Sequence, residues 1–443
     1  MKIIIIGAQA AGASAAAKAK RMNPNATIRI YEKTDIVSFG ACGLPYFIGD
    51  HFTDANEMIS RTPQQFQQDG IEIKTCHQVV AIDSIQKKLK IKNINTDECF
   101  DDNYDKLLIA VGASPIIPNF TNYKLKNIFT LRDLNDGLAI KQALSDPAVK
   151  NVIVVGAGFI GLEIAESFVA LNKQVKLIQL DDRVLVDAFD AQITDVIAKN
   201  IKQHCDLHLQ EQVQGFIGEQ HVTHVITNKD TYLADMVIIA TGVKPNSEIY
   251  QNIGLNMLPN GAIITDSYGR TNLPDIYAAG DCAALQHKVS KAMVYIPLAT
   301  GANKLGKIVG ENLGGGQSQF PGTIGTSAFK AFDIEAGRTG LTEKEAQKAG
   351  IAYKTVIVKD KNHSNYVAGQ TEVTAKIIYH AETRTILGGQ IAGGSGAVLR
   401  VNTLATAIWA EMKIDELAMM DFLYAPPFSR PWDILNIAGS IAK

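Results

Sequence analysis

Cys42 is the residue with the most chemistry to offer. It lies in Ser38-Phe39-Gly40-Ala41-Cys42-Gly43-Leu44-Pro45-Tyr46, and no second cysteine is nearby. A dithiol reductase forms its catalytic disulfide within one short loop, so two sulfurs must sit close together. The residues five positions to either side of Cys42 are Val37 and Phe47. Redox chemistry at Cys42 would therefore join it to something outside this chain. That is either a small thiol, held as a mixed disulfide, or an oxygen atom, held as a sulfenic acid. Cys76, Cys99, Cys205 and Cys282 are scattered, with no C-x-x-C. This argues against a zinc site or a disulfide framework and fits a reducing cytosol, so no metal is expected.

A redox thiol needs a source of electrons, and two glycine-rich turns supply candidates. Ile3-Ile4-Ile5-Ile6 reads as a buried parallel strand, Gly7 and Gly12 bracket a turn, and Ala13 to Arg21 reads as a helix. Ile28 to Glu32 is the next strand and ends in an acid about 20 residues past the glycines, where a ribose hydroxyl contact requires one. Gln9 replaces the middle glycine of G-x-G-x-x-G. The second copy is complete: Val152 to Val155 leads into Gly156-Ala157-Gly158-Phe159-Ile160-Gly161, then Leu162 and Glu163. Its glycines serve a tight turn, backbone approach to a diphosphate, and helix-on-sheet packing, with the helix N-terminus offering unpaired N–H groups. The following strand, Val175 to Leu180, carries Gln179 where NAD enzymes usually place an acid. Gln179 leaves the choice of NADH or NADPH open. The lack of an Arg or Lys directly after it favours NADH. Two dinucleotides in one chain point to electron transfer between a flavin and a nicotinamide.

At 443 residues the chain is long enough for two or three domains. Its 46% apolar and 20% charged content is that of an ordinary globular protein. A formal net charge of −2 gives no reason to expect nucleic acid or an anionic membrane as a partner. The start, MKIIIIGAQAAGASAAAKAKR, reads as strand, turn and helix rather than a secretion signal. No segment is long and apolar enough to suggest a membrane span.

Thr271-Asn272-Leu273-Pro274-Asp275-Ile276-Tyr277-Ala278-Ala279-Gly280-Asp281 resembles the third FAD motif of the pyridine nucleotide-disulfide oxidoreductases. Leu108-Ile109-Ala110-Val111-Gly112 and Ile239-Ala240-Thr241-Gly242 resemble that family's paired crossings between FAD and NAD domains. The resemblance covers the whole chain. It implies an α/β fold with two Rossmann-like, glutathione reductase-like domains and a C-terminal α+β dimerisation domain. The FAD domain would be split into residues 1–112 and 243–320, with the NAD(P)H domain at 113–242 and the dimerisation domain at 321–443. Asp281 would hold the ribityl chain. Glu32, Lys33, Ala110, Gly112, Gly242 and Ala299 would join the glycines in holding the cofactors. Glu163 would lie near the nicotinamide ribose, and Phe159 resembles an aromatic gate over the flavin.

Within the family, SFGACGLPY is similar to the single-cysteine branch of coenzyme A-disulfide reductases, NADH oxidases and NADH peroxidases. The oxidases and peroxidases carry a histidine in the first glycine turn where this chain has Ala10. Gly43-Leu44-Pro45-Tyr46 resembles the reductases. So do His363-Ser364-Asn365-Tyr366 and Leu423 to Ser429, which implies that Tyr424 first, and Tyr366 second, give protons at Cys42 of the partner subunit in a homodimer. A phenol of pKa about 10 is well matched to a departing thiolate. Arg21, Ser38 and Asn303 would bind coenzyme A. Val367-Ala368-Gly369 departs from the reductases' Tyr-Pro-Gly, and Ala41 from the asparagine of some of them.

The expected function is an FAD-dependent NAD(P)H oxidoreductase reducing coenzyme A disulfide, or a related small disulfide or persulfide, through a Cys42 mixed disulfide. An NADH oxidase that acts on oxygen through a Cys42 sulfenic acid is the alternative. A flavoprotein redox sensor, with little turnover, is a third. A thiolate at Cys42 calls for nearby positive potential or a helix N-terminus, and residues 43–48 can open a helix whose first turn suits Pro45.

Overall fold

The computed structural model describes residues 1–443, which form two compact units. The first comprises residues 1–44, 52–116 and 243–323. Its centre is a five-stranded sheet in the order Ile276–Ala278, Lys106–Ile109, Lys2–Ile6, Thr27–Tyr31, Ile71–Lys74, with every pairing parallel. Strand alternation divides the four isoleucines between two cores. Ile3 and Ile5 join Ile28, Ile30 and Leu108 under the Ala10–Met22 and Ala299–Leu313 helices. Ile4 and Ile6 face Val79, Leu89 and Ile91 of a three-stranded antiparallel sheet. A sheet covered on both faces accounts for the unbroken apolar run. The two helices touch backbone to backbone. A Cβ on Gly306 would lie 2.5 Å from the Ala11 carbonyl oxygen.

The second unit comprises residues 45–51, 117–242 and 324–443. It contains a second parallel sheet, in the order Asp206–His208, Gln174–Ile178, Asn151–Val155, Met236–Ile239, Ile128–Phe129. It also contains an antiparallel sheet in the order Ser327–Ala331, Ile334–Gly340, Ile386–Gly393, Glu372–His380, Tyr353–Lys361. Both strand–turn–helix–strand devices expected from the sequence are present. The first helix begins earlier than expected, at Ala10. Both second strands end sooner, at Tyr31 and Ile178, so Glu32 and Gln179 lie just past their strands. No helix is long and apolar enough to cross a membrane.

Candidate active site

The first turn is held from three directions. Gly7 sits at φ +103°, and its N–H donates to the Tyr31 carbonyl at 2.8 Å. A Cβ on Gly12 would lie 1.9 Å from the Gly7 carbonyl oxygen, so only glycine lets the helix start so close. Glu32 is buried. Its Oε2 accepts the Ala8 N–H at 2.8 Å, and its Oε1 accepts the N–H and hydroxyl of Thr34 at 3.0 and 2.9 Å. The acid expected to meet a ribose thus also ties down the turn. Lys33 beside it is exposed.

Gln9 carries more than the sequence assigned to it. Its Nε2 donates to the Ile36 carbonyl at 2.8 Å and its Oε1 accepts the Phe39 N–H at 2.9 Å. Between these contacts Ser38, at φ +49°, donates its N–H to the Ala8 carbonyl at 2.9 Å. The loop leading to Cys42 is therefore fastened to the dinucleotide turn. Cys42 lies in the 3-10 turn Ala41–Gly43, which runs into the short helix Leu44–Ile48, as expected. Cys42 is exposed and forms no disulfide. Burial pushes the Cys205 and Cys282 thiols up to about 12, which makes them inert at neutral pH.

Ala110 is buried, and its carbonyl oxygen would lie 2.3 Å from a Cβ on Gly7. Past Gly112, at φ +67°, the Ala113–Pro115 strand pairs antiparallel with Val243–Pro245, directly after Gly242 at φ +104°. Gly280, which precedes Asp281, approaches the first helix: a Cβ there would lie 3.0 Å from the Ala11 Cβ. Ala299 opens its helix. Asn303 donates Nδ2 to the Ala299 carbonyl and accepts the Ser14 hydroxyl, both at 2.9 Å. Arg21 is exposed in the last turn of the first helix.

The second turn repeats the first. Gly156 sits at φ +105°, and a Cβ on Gly161 would lie 1.9 Å from the Gly156 carbonyl oxygen. Gln179 Oε1 accepts the Ala157 N–H at 2.7 Å, and its Nε2 donates to Asp181 Oδ2 at 2.7 Å. Leu185, at φ +51°, donates its N–H to the Ala157 carbonyl at 3.0 Å. The Phe159 ring packs edge-on against Phe329 and Phe189, with centroids 5.5 and 6.3 Å apart. Glu163 is largely buried next to Glu166, and its carboxyl is pushed up to about 7, first by burial and then by that neighbouring charge.

Tyr366 and Tyr424, 58 positions apart in sequence, meet hydroxyl to hydroxyl at 3.2 Å. Both are exposed, at 71% and 46%. Hydrogen bonds from Tyr424 and Ser364 lower the Tyr366 pKa, while the bond with Tyr366 raises that of Tyr424. The two phenols share one hydroxyl-to-hydroxyl contact and titrate as a pair.

The donor sets fit anionic dinucleotides. The helices after the two turns open with no side-chain cap and no acid in the first turn, which leaves their N–H groups available for phosphate oxygens. Helices Pro63–Gln68, Leu134–Leu144, Glu343–Lys348 and Ile434–Ile441 instead open with capping boxes. A Cβ on Gly158 would meet no protein atom within 4 Å. Glycine there keeps room for something other than the protein.

Residues 1–306 match the pyridine nucleotide-disulphide oxidoreductase family, and residues 326–434 match its dimerisation domain. The chain is 35% identical to the NAD(P)H coenzyme A polysulfide/persulfide reductase of Pyrococcus horikoshii, covering 100% of this chain and 98% of that protein. It is 32% identical to the coenzyme A disulfide reductase of Staphylococcus aureus over the full length of both. Among solved structures, the water-forming NADH oxidase from Lactobacillus brevis bound to NADH superposes with a TM-score of 0.94 at 32% identity, covering 99% of this chain and 97% of that one.

Proposed function

The chain belongs to the pyridine nucleotide-disulphide oxidoreductase family, and from that premise we propose that it is an NAD(P)H-dependent reductase of coenzyme A disulfide or a related small disulfide or persulfide. The observation that carries this reading is the exposed Cys42, in a loop fastened to the first dinucleotide turn. Residues 1–112 and 243–320 would bind FAD, residues 113–242 would bind NAD(P)H, and residues 321–443 would join two copies into a cytosolic homodimer. Exposed Met419, Leu423, Phe428 and Trp432 support an apolar surface covered by a second copy.

When bound, NAD(P)H and FAD supply the two electrons that cleave the Cys42 mixed disulfide. The first turn and Asp281 would hold the flavin, and the second turn with Gln179 would hold the nicotinamide dinucleotide. The Asp181 carboxylate beside Gln179 repels a 2′-phosphate and so supports NADH. The Cys42 thiolate attacks one sulfur of the incoming disulfide, and the other sulfur leaves as a thiolate. Tyr424, with Tyr366 hydrogen-bonded to it, protonates that leaving thiolate from across the dimer. Arg21, Ser38 and Asn303 bind the phosphates and thiol end of a coenzyme A half.

The oxidase reading is favoured less, because Ala10 offers no hydrogen bond to a sulfenic acid. Intact mass of the purified protein, before and after mild reductant, tests the choice. Loss of a coenzyme A-sized adduct from Cys42 is expected. Loss of a single oxygen atom would establish the oxidase reading, and an unchanged mass would count against both.

A further inference from the structure

The two turns act as controls for each other. Ala8 and Ala157 each accept an N–H from a residue in the left-handed region, Ser38 and Leu185 respectively. Each also donates its own N–H to the residue after the second strand, Glu32 or Gln179. In the second turn Gly158 contributes no side chain, and the Leu185 bond forms regardless. A dinucleotide turn of this design therefore closes without a carboxamide at its middle position. In the first turn Gln9 adds bonds to Ile36 and Phe39, one on each side of Ser38. The far side of the loop is tied elsewhere, by the Gly40 N–H on the Met58 carbonyl at 2.8 Å and the Ser60 N–H on the Ser38 carbonyl at 3.0 Å.

We propose that Gln9 is a positioning residue for Cys42, clamping the 36–39 loop to the first turn so that the thiol is presented in one orientation. This rests on the redox role proposed above for Cys42. A left-handed, non-glycine backbone persists only where its surroundings over-determine it. Removing the carboxamide deprives the Ile36 carbonyl and the Phe39 N–H of their partners. The Ser38 bonds to Ala8 and Ser60 remain, but Ile36 and Phe39 on either side come loose, and the segment from Phe39 to Cys42 moves with Phe39.

The test follows alkylation of Cys42 by iodoacetamide in flavin-loaded, reduced protein across pH, with the exposed Cys99 as internal reference. Gln9→Ala should change the Cys42 rate about fivefold or more, the equivalent of one lost hydrogen bond, and shift its pH profile while Cys99 is unaffected. Gln9→Glu supplies the second variant. Ionised, it can accept from Phe39 but cannot donate to Ile36. Protonated, it can do both, so its rate relative to wild type should recover only as pH falls through about 4.3. Unchanged Cys42 rates in both variants overturn the proposal, as does an equal change at Cys99. Turnover is not the readout, so the clamp stands or falls independently of which acceptor Cys42 serves.

Discussion

The two dinucleotide turns have nearly the same skeleton and lead to different ends. In the first, the left-handed Ser38 carries the chain to an exposed thiol. In the second, the left-handed Leu185 carries it into a buried ionic cluster. There Asp190 pairs with the fully buried Lys376 at 3.0 Å and accepts from Gln390 at 2.6 Å, while Arg338 donates to the Ala188 carbonyl at 3.0 Å. The buried Glu32 carboxyl and the Gln9 carboxamide fasten the first loop through hydrogen bonds, and a buried ion pair fastens the second. A buried charge pair is held in place by the cost of separating it. The first loop has no such ion pair beyond Gln9, and its cysteine is exposed.

The comparison breaks most visibly where the skeletons coincide. An alanine Cβ at Gly12 or at Gly161 would sit 1.9 Å from a carbonyl oxygen of its own turn. Either substitution should cost on the order of 3 kcal/mol through forced backbone movement. Gly12→Ala should purify with little flavin. Gly161→Ala should keep its flavin and lose reduction by NADH. Absorbance spectra of the two proteins, each with added NADH, check this. Equal loss of flavin in both would show that the turns do not serve separate cofactors.

Much of this was legible in the residues. The two glycine turns, the buried parallel strand of isoleucines, and the singular Cys42 follow from spacing and chemistry. The clamp by Gln9 was not legible, because a departure from a motif does not say where the substituted side chain goes. The left-handed geometry of Ser38 and Leu185 was hidden for a related reason: neither type favours it, and only contacts through space impose it. The meeting of Tyr366 and Tyr424 could be expected only through resemblance, since no local pattern links positions so far apart.

A second difference lies one turn into each helix. The second carries Glu163, with a carboxyl raised from the usual 4.5 to about 7, and the first has no acid along its length. For an acid raised in the fold, the stabilising contribution is complete below the unfolded value and is lost as pH rises through the folded one. Wild type should therefore lose about 2 kcal/mol relative to Glu163→Gln between about pH 5 and pH 8. Thermal unfolding of both proteins across that range checks it. A constant difference in melting temperature would mean Glu163 ionises as an ordinary surface carboxylate.

The smallest expected effect is the most discriminating, because it separates what the protein needs from what its ligand needs. Gly12 and Gly161 are required by neighbouring backbone, but Gly158 is not: its Cβ would have open space, and its φ of −82° suits any residue. Gly158→Ala should therefore leave the melting temperature unchanged. The added methyl would occupy the approach of a diphosphate to the turn, so the dissociation constant for NADH should rise about tenfold, the equivalent of about 1.4 kcal/mol. Calorimetric titration with NADH, beside a melting curve, reads both quantities. Wild-type affinity with an intact fold would mean that no diphosphate comes near Gly158, and the likeness between the two turns would then be one of backbone alone.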